Sequence, residues 1–270
     1  MSSGSDNSAQ LDEATRARYL HRLGVEAPRS LDLASLTDLM RAHLVAVPFE
    51  NLDVFYQRPV RTDIEWSVAK ILDRTRGGWC FELNGAFGAL LRSLGFEVRH
   101  LGAAVLLNGP NSTLDHLCLE VRLDQPYLVD VGFGDAFISP LELNTGTEQD
   151  GGNGAYQFIA SPIGTTLARL VGGVPEASYR FKRVSHELAD FDPASEALAG
   201  DADGHFRKGP LVTRLLDNVG RRVTLSTNRL VVRDPSGSEA SAAEVAPEQW
   251  WATAAEWFGD SYDPSLAESA

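Results

Sequence analysis

The sequence predicts an α+β protein on three observations: helical periodicity up to about residue 94, short β-rich runs after Gly95, and a mixed α/β tail from about residue 191. Taken in order, residues 11–22 carry a helical pattern that stops before Gly24. Ser30 is placed to cap a second helix bearing Leu33, Leu36, Leu39 and Met40 at three- and four-residue spacing. Residues 64–74 and 80–94 read as two further helices, the second closed by Gly95, so that 1–94 forms a helical bundle. Runs at 98–107, 116–123, 127–131, 156–159 and 179–184 are rich in β-branched and aromatic residues, with turn residues such as Asn108, Gly109 and Pro110 between them. A small barrel or sandwich over 95–190 is the natural way to close such runs. Residues 145–154, TGTEQDGGNG, read as a polar, glycine-rich loop. Beyond Asp190 the pattern is an irregular connection, a hairpin at 222–226 and 230–233 turning at Thr227 and Asn228, and a last helix over 247–258, which makes 191–270 a third unit.

Composition narrows the function classes. A net charge of −13 speaks against binding nucleic acid through its phosphates, which needs a basic footprint. The longest apolar stretches, such as 101–107, fall far short of the ~20 residues that span a bilayer. The opening MSSGSDNSAQ has neither a basic nor an apolar region, so it reads as a frayed terminus and not a secretion signal; the expected location is the cytoplasm, with no membrane partner. Two cysteines, Cys80 and Cys118, are too few for a disulfide framework or a four-cysteine zinc site, and no metal is expected.

Chemistry concentrates in RGGWCFELN, residues 76–84. Gly77 and Gly78 permit unusual backbone dihedrals, and the cysteine then opens the next helix. There the helix dipole and unpaired N–H groups favour an anion, and the thiolate is the reactive species. A nucleophilic cysteine needs a base, and the base an orienting group. His116 in HLCLEVRL and Asp130 in YLVDVGFG lie on two runs that a turn at 124–126 folds together, and an acid inside an apolar run is costly to bury without a partner. Cys80, His116 and Asp130 are therefore the candidate catalytic residues. His21, His43, His100, His186 and His205 sit beside charges or in expected loops, as solvated side chains do. Cys118 shares a strand face with His116 but has no helix N-terminus, which points to packing.

These residues resemble the arylamine N-acetyltransferase family. RGGWCFELN matches its RGGxCxExN block at Arg76, Gly77, Gly78, Cys80, Glu82 and Asn84; VPFENL at 47–52 matches an upstream block. The histidine of DHLCLEV, the aspartate of LVDVGFG and the hairpin GRRVTLSTNRLVV complete the order, over most of the chain. The resemblance implies a helical bundle, a β-barrel and an α/β lid around a cysteine-protease-like Cys-His-Asp core. Cys80 would accept the acyl group, His116 act as base and acid, and Asp130 orient the imidazole. It further suggests that Arg76 is held by Glu50 or Glu82. Acetyl-coenzyme A is the implied co-substrate and an aromatic amine or arylhydrazine the acceptor, in a ping-pong cycle.

No GxxxxGK[ST] phosphate loop is present, so the coenzyme must be held otherwise; Gly151, Gly152 and Gly154 of GGNG are the candidate cofactor-binding residues, through backbone approach to the pyrophosphate. Phe49, Trp79, Phe133 and Phe137 are candidates for either acceptor pocket or core. An alternative keeps the triad and changes the donor: amide synthases that release and cyclise ansamycin polyketides resemble the same family, and their donor is an acyl carrier protein. Carrier proteins are acidic, so a chain at −13 would need a basic docking face. A transglutaminase-like or papain-like thiol hydrolase is a remote alternative, because Cys80 and His116 are 36 positions apart in the sequence, against a separation of about 130 in papain-type enzymes.

Overall fold

Aspartates start the helices. In the computed structural model, which describes residues 10–107 and 114–268, Asp12, Asp32 and Asp63 each accept a backbone N–H three positions on and so cap Glu13–Leu23, Leu33–Ala46 and Ile64–Leu72. Ser30 is therefore not the cap of the second helix; its hydroxyl donates to Asp32 at 2.6 Å and braces the residue that is. The turn expected at Asn108–Pro110 and residues 1–9 of the polar opening lie outside the described residues. A fourth long helix, Cys80–Ser93, is buried from Cys80 to Arg92. It is the central post of the molecule, packed on Glu97–Val105 and His116–Arg122.

The β structure forms two antiparallel sheets. The larger, barrel-like sheet has eight strands in the order Leu141–Glu142, Pro126–Val129, His116–Arg122, Glu97–Val105, Val174–His186, Gly164–Val171, Ala155–Ser161, Gln149–Asp150. The smaller has five: Phe49–Glu50, Val212–Leu215, Arg222–Leu225, Arg229–Arg233 and Glu239–Glu244. Phe49 pairs with Thr213 and Glu50 with Val212, so this sheet joins the two ends of the chain.

Several elements differ from expectation for identifiable reasons. Gly164–Val171 is a strand that alternation did not mark, because Thr165, Thr166 and Arg169 break its apolar pattern. Val174–His186 runs well beyond 179–184, its ends exposed and polar. Asp192–Gly200 is a helix where an irregular connection was expected, with Pro193 in its first turn, a position that needs no N–H donor. Glu239–Glu244 (EASAAE) is exposed throughout and exists only as an edge partner of Arg229–Arg233. One apolar core runs between the helices and the larger sheet, and a second, with Leu52, Val212, Leu225, Trp250, Phe258 and Tyr262, lies under the smaller. Among the described residues no helix is long and apolar enough to cross a membrane.

Candidate active site

Close approach, and not dihedral freedom, explains the two glycines before Cys80. Neither has a positive φ. A Cβ on Gly77 would lie 1.8 Å from the Pro48 carbonyl oxygen, and one on Gly78 would lie 2.4 Å from Glu82 Oε2. The Gly78 carbonyl accepts from Glu50 N–H at 2.9 Å. Thr75, at φ 49°, takes the strained turn instead. Held this way, the chain enters the helix at Cys80, with Glu82 Oε2 accepting from the Trp79 N–H at 3.2 Å. The first helical bond is Leu83 N–H to the Trp79 carbonyl, so the N–H groups of Cys80 and Phe81 have no carbonyl one turn back.

Asn84, one turn after Cys80 and on the same helix face, ties this helix to the sheet. Its amide donates to the Leu117 carbonyl at 2.6 Å and to Asp130 Oδ1 at 2.9 Å, and its oxygen accepts from Val131 N–H at 3.0 Å. Asp130 Oδ1 also accepts from Gly132 N–H at 2.9 Å, while Oδ2 faces His116 Nε2 at 2.7 Å. That leaves Nδ1 of the ring for Cys80, which is near enough to favour the charged imidazole. All three side chains are buried. Burial alone would lower the imidazole's pKa; the Asp130 carboxylate and then Cys80 reverse this and raise it to about 10. Phe133 and Tyr179 pack on the ring, with centroids at 5.2 and 4.9 Å. The structure thus pairs His116 with Asp130 and sets Cys80, at the start of its helix, near the ring. Asn84 was visible in the motif without a role, and Tyr179, far off in sequence, carried no signal.

Beneath Cys80 lies a cluster of charge. Arg76 pairs with Glu50 and, at 3.0 Å, with Asp53. Glu82 does not hold Arg76, contrary to one of the two expectations: its carboxylate turns back to the Trp79 N–H and takes Lys70 Nζ at 2.9 Å and Trp66 Nε1 at 3.1 Å. Lys70 also reaches Asp53 at 2.7 Å, and Arg58 approaches Asp53 from the rim at 3.5 Å. Burial pushes the Asp53 carboxyl up, but Lys70 and Arg76 overcome it and hold it at about 2. Burial opposes charge on Lys70 and Arg76 as well, yet the surrounding carboxylates keep both above their usual values. The Glu82 carboxyl sits above its usual value because burial outweighs Lys70. Over this cluster lies Tyr262, whose hydroxyl accepts from the Gly77 N–H at 3.0 Å.

Two histidines read as solvated are buried. His43 Nε2 bonds the Tyr19 hydroxyl at 3.0 Å, and His100 Nε2 meets Arg92 at 3.1 Å; burial lowers both to about 3, so they stay neutral where a charge would be costly. Cys118 is fully buried, its thiol raised well above the ordinary range by burial and then by Asp130. Phe49, Trp79 and Phe137 are buried, and Phe133 is half-buried, edge-on to His116. In GGNG, a Cβ on Gly151 would lie 2.4 Å from Tyr156, and Gly152 and Gly154 have φ of 83° and 147°. The Gly151 N–H bonds the Gly154 carbonyl and the Gly152 N–H bonds Asp150, so both donors are engaged within the turn. No group of three or more His, Cys, Asp or Glu side chains among the described residues is placed to hold a metal ion.

A family model described as N-acetyltransferase matches residues 32–262. The arylamine N-acetyltransferase of Mycolicibacterium smegmatis is 33% identical, across 84% of this chain and 86% of its own. The arylamine N-acetyltransferase / N-hydroxyarylamine O-acetyltransferase of Salmonella typhimurium is 40% identical over 75% of this chain and 74% of its own. Among solved structures, the Salmonella typhimurium arylamine N-acetyltransferase superposes with a TM-score of 0.87 at 27% identity, covering 92% of both chains. The Mycobacterium marinum arylamine N-acetyltransferase in complex with CoA gives 0.83 at 28% identity, covering 93% of this chain and 94% of that one. With the family model spanning most of its length and relatives of this identity along it, the chain belongs to the arylamine N-acetyltransferase family, whose members are transferases.

Proposed function

We propose that this enzyme moves an acetyl group from acetyl-coenzyme A to the nitrogen of an arylamine or arylhydrazine through a thioester on Cys80. The observation that carries the reading is a cysteine at a helix start beside an imidazole whose other nitrogen is bound to a buried aspartate. In the first half-reaction the Cys80 proton passes to His116 and the thiolate attacks the acetyl carbonyl. The new C–S bond forms as the old one breaks, and coenzyme A leaves as a thiol with the proton from His116. The Cys80 N–H, at the helix start, is the donor for the intermediate's oxygen. Exchange of one thioester for another is nearly isoenergetic, so neither direction meets a steep barrier from bond energy.

In the second half-reaction the amine nitrogen attacks the acyl-enzyme, its proton goes to His116, and Cys80 leaves as thiolate. Acylation has by then removed one of the groups that raise the imidazole's pKa, the Cys80 charge, while Asp130 stays in place. A ring held protonated beside the thiolate thus gives up its proton to the departing coenzyme more readily, and once neutral it can accept the amine's proton.

Radiolabelled acetyl-coenzyme A without acceptor should leave label on Cys80, lost on adding an arylamine, and Cys80→Ala should take none. No label from acetyl-coenzyme A, with label from an acylated carrier protein, would replace this donor with that of an amide synthase. Asp130→Asn should fold normally, since Asn84 and Gly132 remain nearby, while turnover falls by roughly three to four orders of magnitude as the imidazole loses its orienting carboxylate. Full activity in that variant would remove Asp130 from the triad.

A further inference from the structure

A hollow of about 280 Å³ lies where the chain before Ile64–Leu72 meets the chain leading into Asp192–Gly200, and the acyl-transfer reading makes no use of it. It is on a different side of the Cys80–Ser93 helix from Asn84: a Cβ on the next residue, Gly85, would lie 3.5 Å from Leu188 and 3.8 Å from the Thr62 carbonyl oxygen. One wall is formed by residues 60–63, the other by Ala189 with Asp192, Ser195 and Glu196. The Thr62 hydroxyl donates to Asp192 Oδ1 and ties the walls together. Asp192, Ser195 and Glu196 share one helix face, at i, i+3 and i+4.

Two of the three carboxylates in the lining have a local reason to be there. Asp63 Oδ1 accepts the Trp66 N–H at 2.7 Å and caps its helix, and Asp192 opens the other helix, where the dipole favours negative charge. Glu196 has neither reason, and a like charge four residues back destabilises it. Among the described residues none of the three is in an ion pair, and the arginine in the lining, Arg61, lies over the Trp66 ring at 5.2 Å. Ser195 is an independent sign. Only 3% exposed, it lines the hollow, and among the described residues its hydroxyl has no hydrogen-bond partner. A polar group buried without a partner is costly, and a ligand is one way to satisfy it.

We propose that this hollow binds a short aliphatic diamine, with Asp63, Asp192 and Glu196 supplying the charge and the Ser195 hydroxyl accepting an ammonium N–H. Three carboxylates against one arginine leave two negative charges, which matches the two positive charges of a diamine at neutral pH. The Thr62 hydroxyl already donates to Asp192, so acceptors dominate the lining, and an ammonium brings three donors and no acceptor. Val60 and Ala189 offer an apolar flank to the carbon stem. The volume far exceeds what a bare ion fills, and no group of three or more His, Cys, Asp or Glu side chains among the described residues is placed to hold a metal. A protonated diamine has no lone pair with which to attack a thioester, so this site is separate from that of the acetyl acceptor.

Equilibrium dialysis of the whole protein against radiolabelled 1,4-diaminobutane tests the site. One diamine should bind per chain, and Ser195→Ala should weaken it about tenfold, since a hydrogen bond to a charged group is lost while alanine keeps the helix. Asp192→Asn should weaken it about threefold, as expected at an exposed position; its side-chain oxygen still accepts from Thr62, so the wall stays in place. Protein alkylated at Cys80 with iodoacetamide should bind as well as untreated protein. Loss of binding there would move the diamine into the acceptor cleft and overturn the site, as would a wild type that takes up no label. Uncharged 1,4-butanediol that competes as well as unlabelled diamine would make the hollow an apolar pocket, and magnesium chloride competing equally would make it a divalent-cation site. Either result overturns the proposal, and so do two variants that bind like wild type.

Discussion

Two groups of charge, one under Cys80 and one at the seam of the sheets, differ in how completely they are neutralised. Around Lys70 and Arg76, three carboxylates meet two buried cations, and Arg58 adds a third at the rim. Every member has a partner of opposite sign, and the cluster fastens the loop that delivers Cys80. Around Arg222, three cations (Arg169, Arg222 and Arg233) meet two carboxylates, the half-exposed Asp135 and Asp234, which is engaged in its own turn. A balanced cluster holds its elements together, whereas an unbalanced one keeps buried charge at a cost.

The largest effect should follow from unbalancing the first group. Lys70→Met would leave Glu50, Asp53 and Glu82 facing one buried arginine, and removing one partner of a buried ion pair costs about 3–5 kcal/mol. Denaturant unfolding should show that loss, with alkylation of Cys80 slowed as the loop loosens. A loss under about 1 kcal/mol would mean that water already screens the cluster. Acid should act in the same direction. The Asp53 carboxyl lies at about 2 against an ordinary 3.8, so its contribution is present above pH 4 and lost as the pH falls through 2. Asp53→Asn should flatten that part of the stability profile.

The contrast between these groups was only partly legible in the sequence. Cys80 stood out at a glycine break before a helix, and Asp130 stood out as an acid in an apolar run, because each is locally anomalous. Lys70 was not anomalous: it ends a stretch whose buried face also carries Ser67, Val68 and Ile71, and nothing local says that a lysine there points inward. Its carboxylate partners lie on three other parts of the chain. Arg76 was tied correctly to Glu50 but not to Asp53, since VPFENL stops one residue short of it. Likewise, Phe49–Glu50 becomes a strand only by pairing with Val212–Thr213, more than 160 residues on. The glycines were marked correctly but for the wrong reason, as the volume of Pro48 and Glu82 decides them.

A smaller effect is expected where the chain's far end closes over the balanced group. Tyr262 is fully buried; its ring centroid is 6.0 Å from the Arg76 guanidinium carbon, and its hydroxyl is the acceptor for Gly77 N–H. Ser261 adds a bond to the Thr75 carbonyl at 3.0 Å. Tyr262→Phe keeps the ring and strands a buried donor, which costs about 1–3 kcal/mol. If the bond positions Cys80 as well as stabilising the fold, the pH profile of Cys80 alkylation should move in this variant. A shift in Tm with an unmoved profile would reduce Tyr262 to a structural role.

Least of all should be lost by removing Arg222, and here the two groups part most clearly. Arg222→Met takes away a buried cation whose neighbours include two others, and it leaves Asp135 half-exposed to water. Replacing under-compensated buried charge by an apolar side chain of similar size is often neutral or stabilising. Unfolding free energy, read by denaturant titration, should therefore stay within about 1 kcal/mol of wild type or rise. A loss as large as that of Lys70→Met would show instead that the seam arginines hold the two sheets together, and that both groups of charge are architecture.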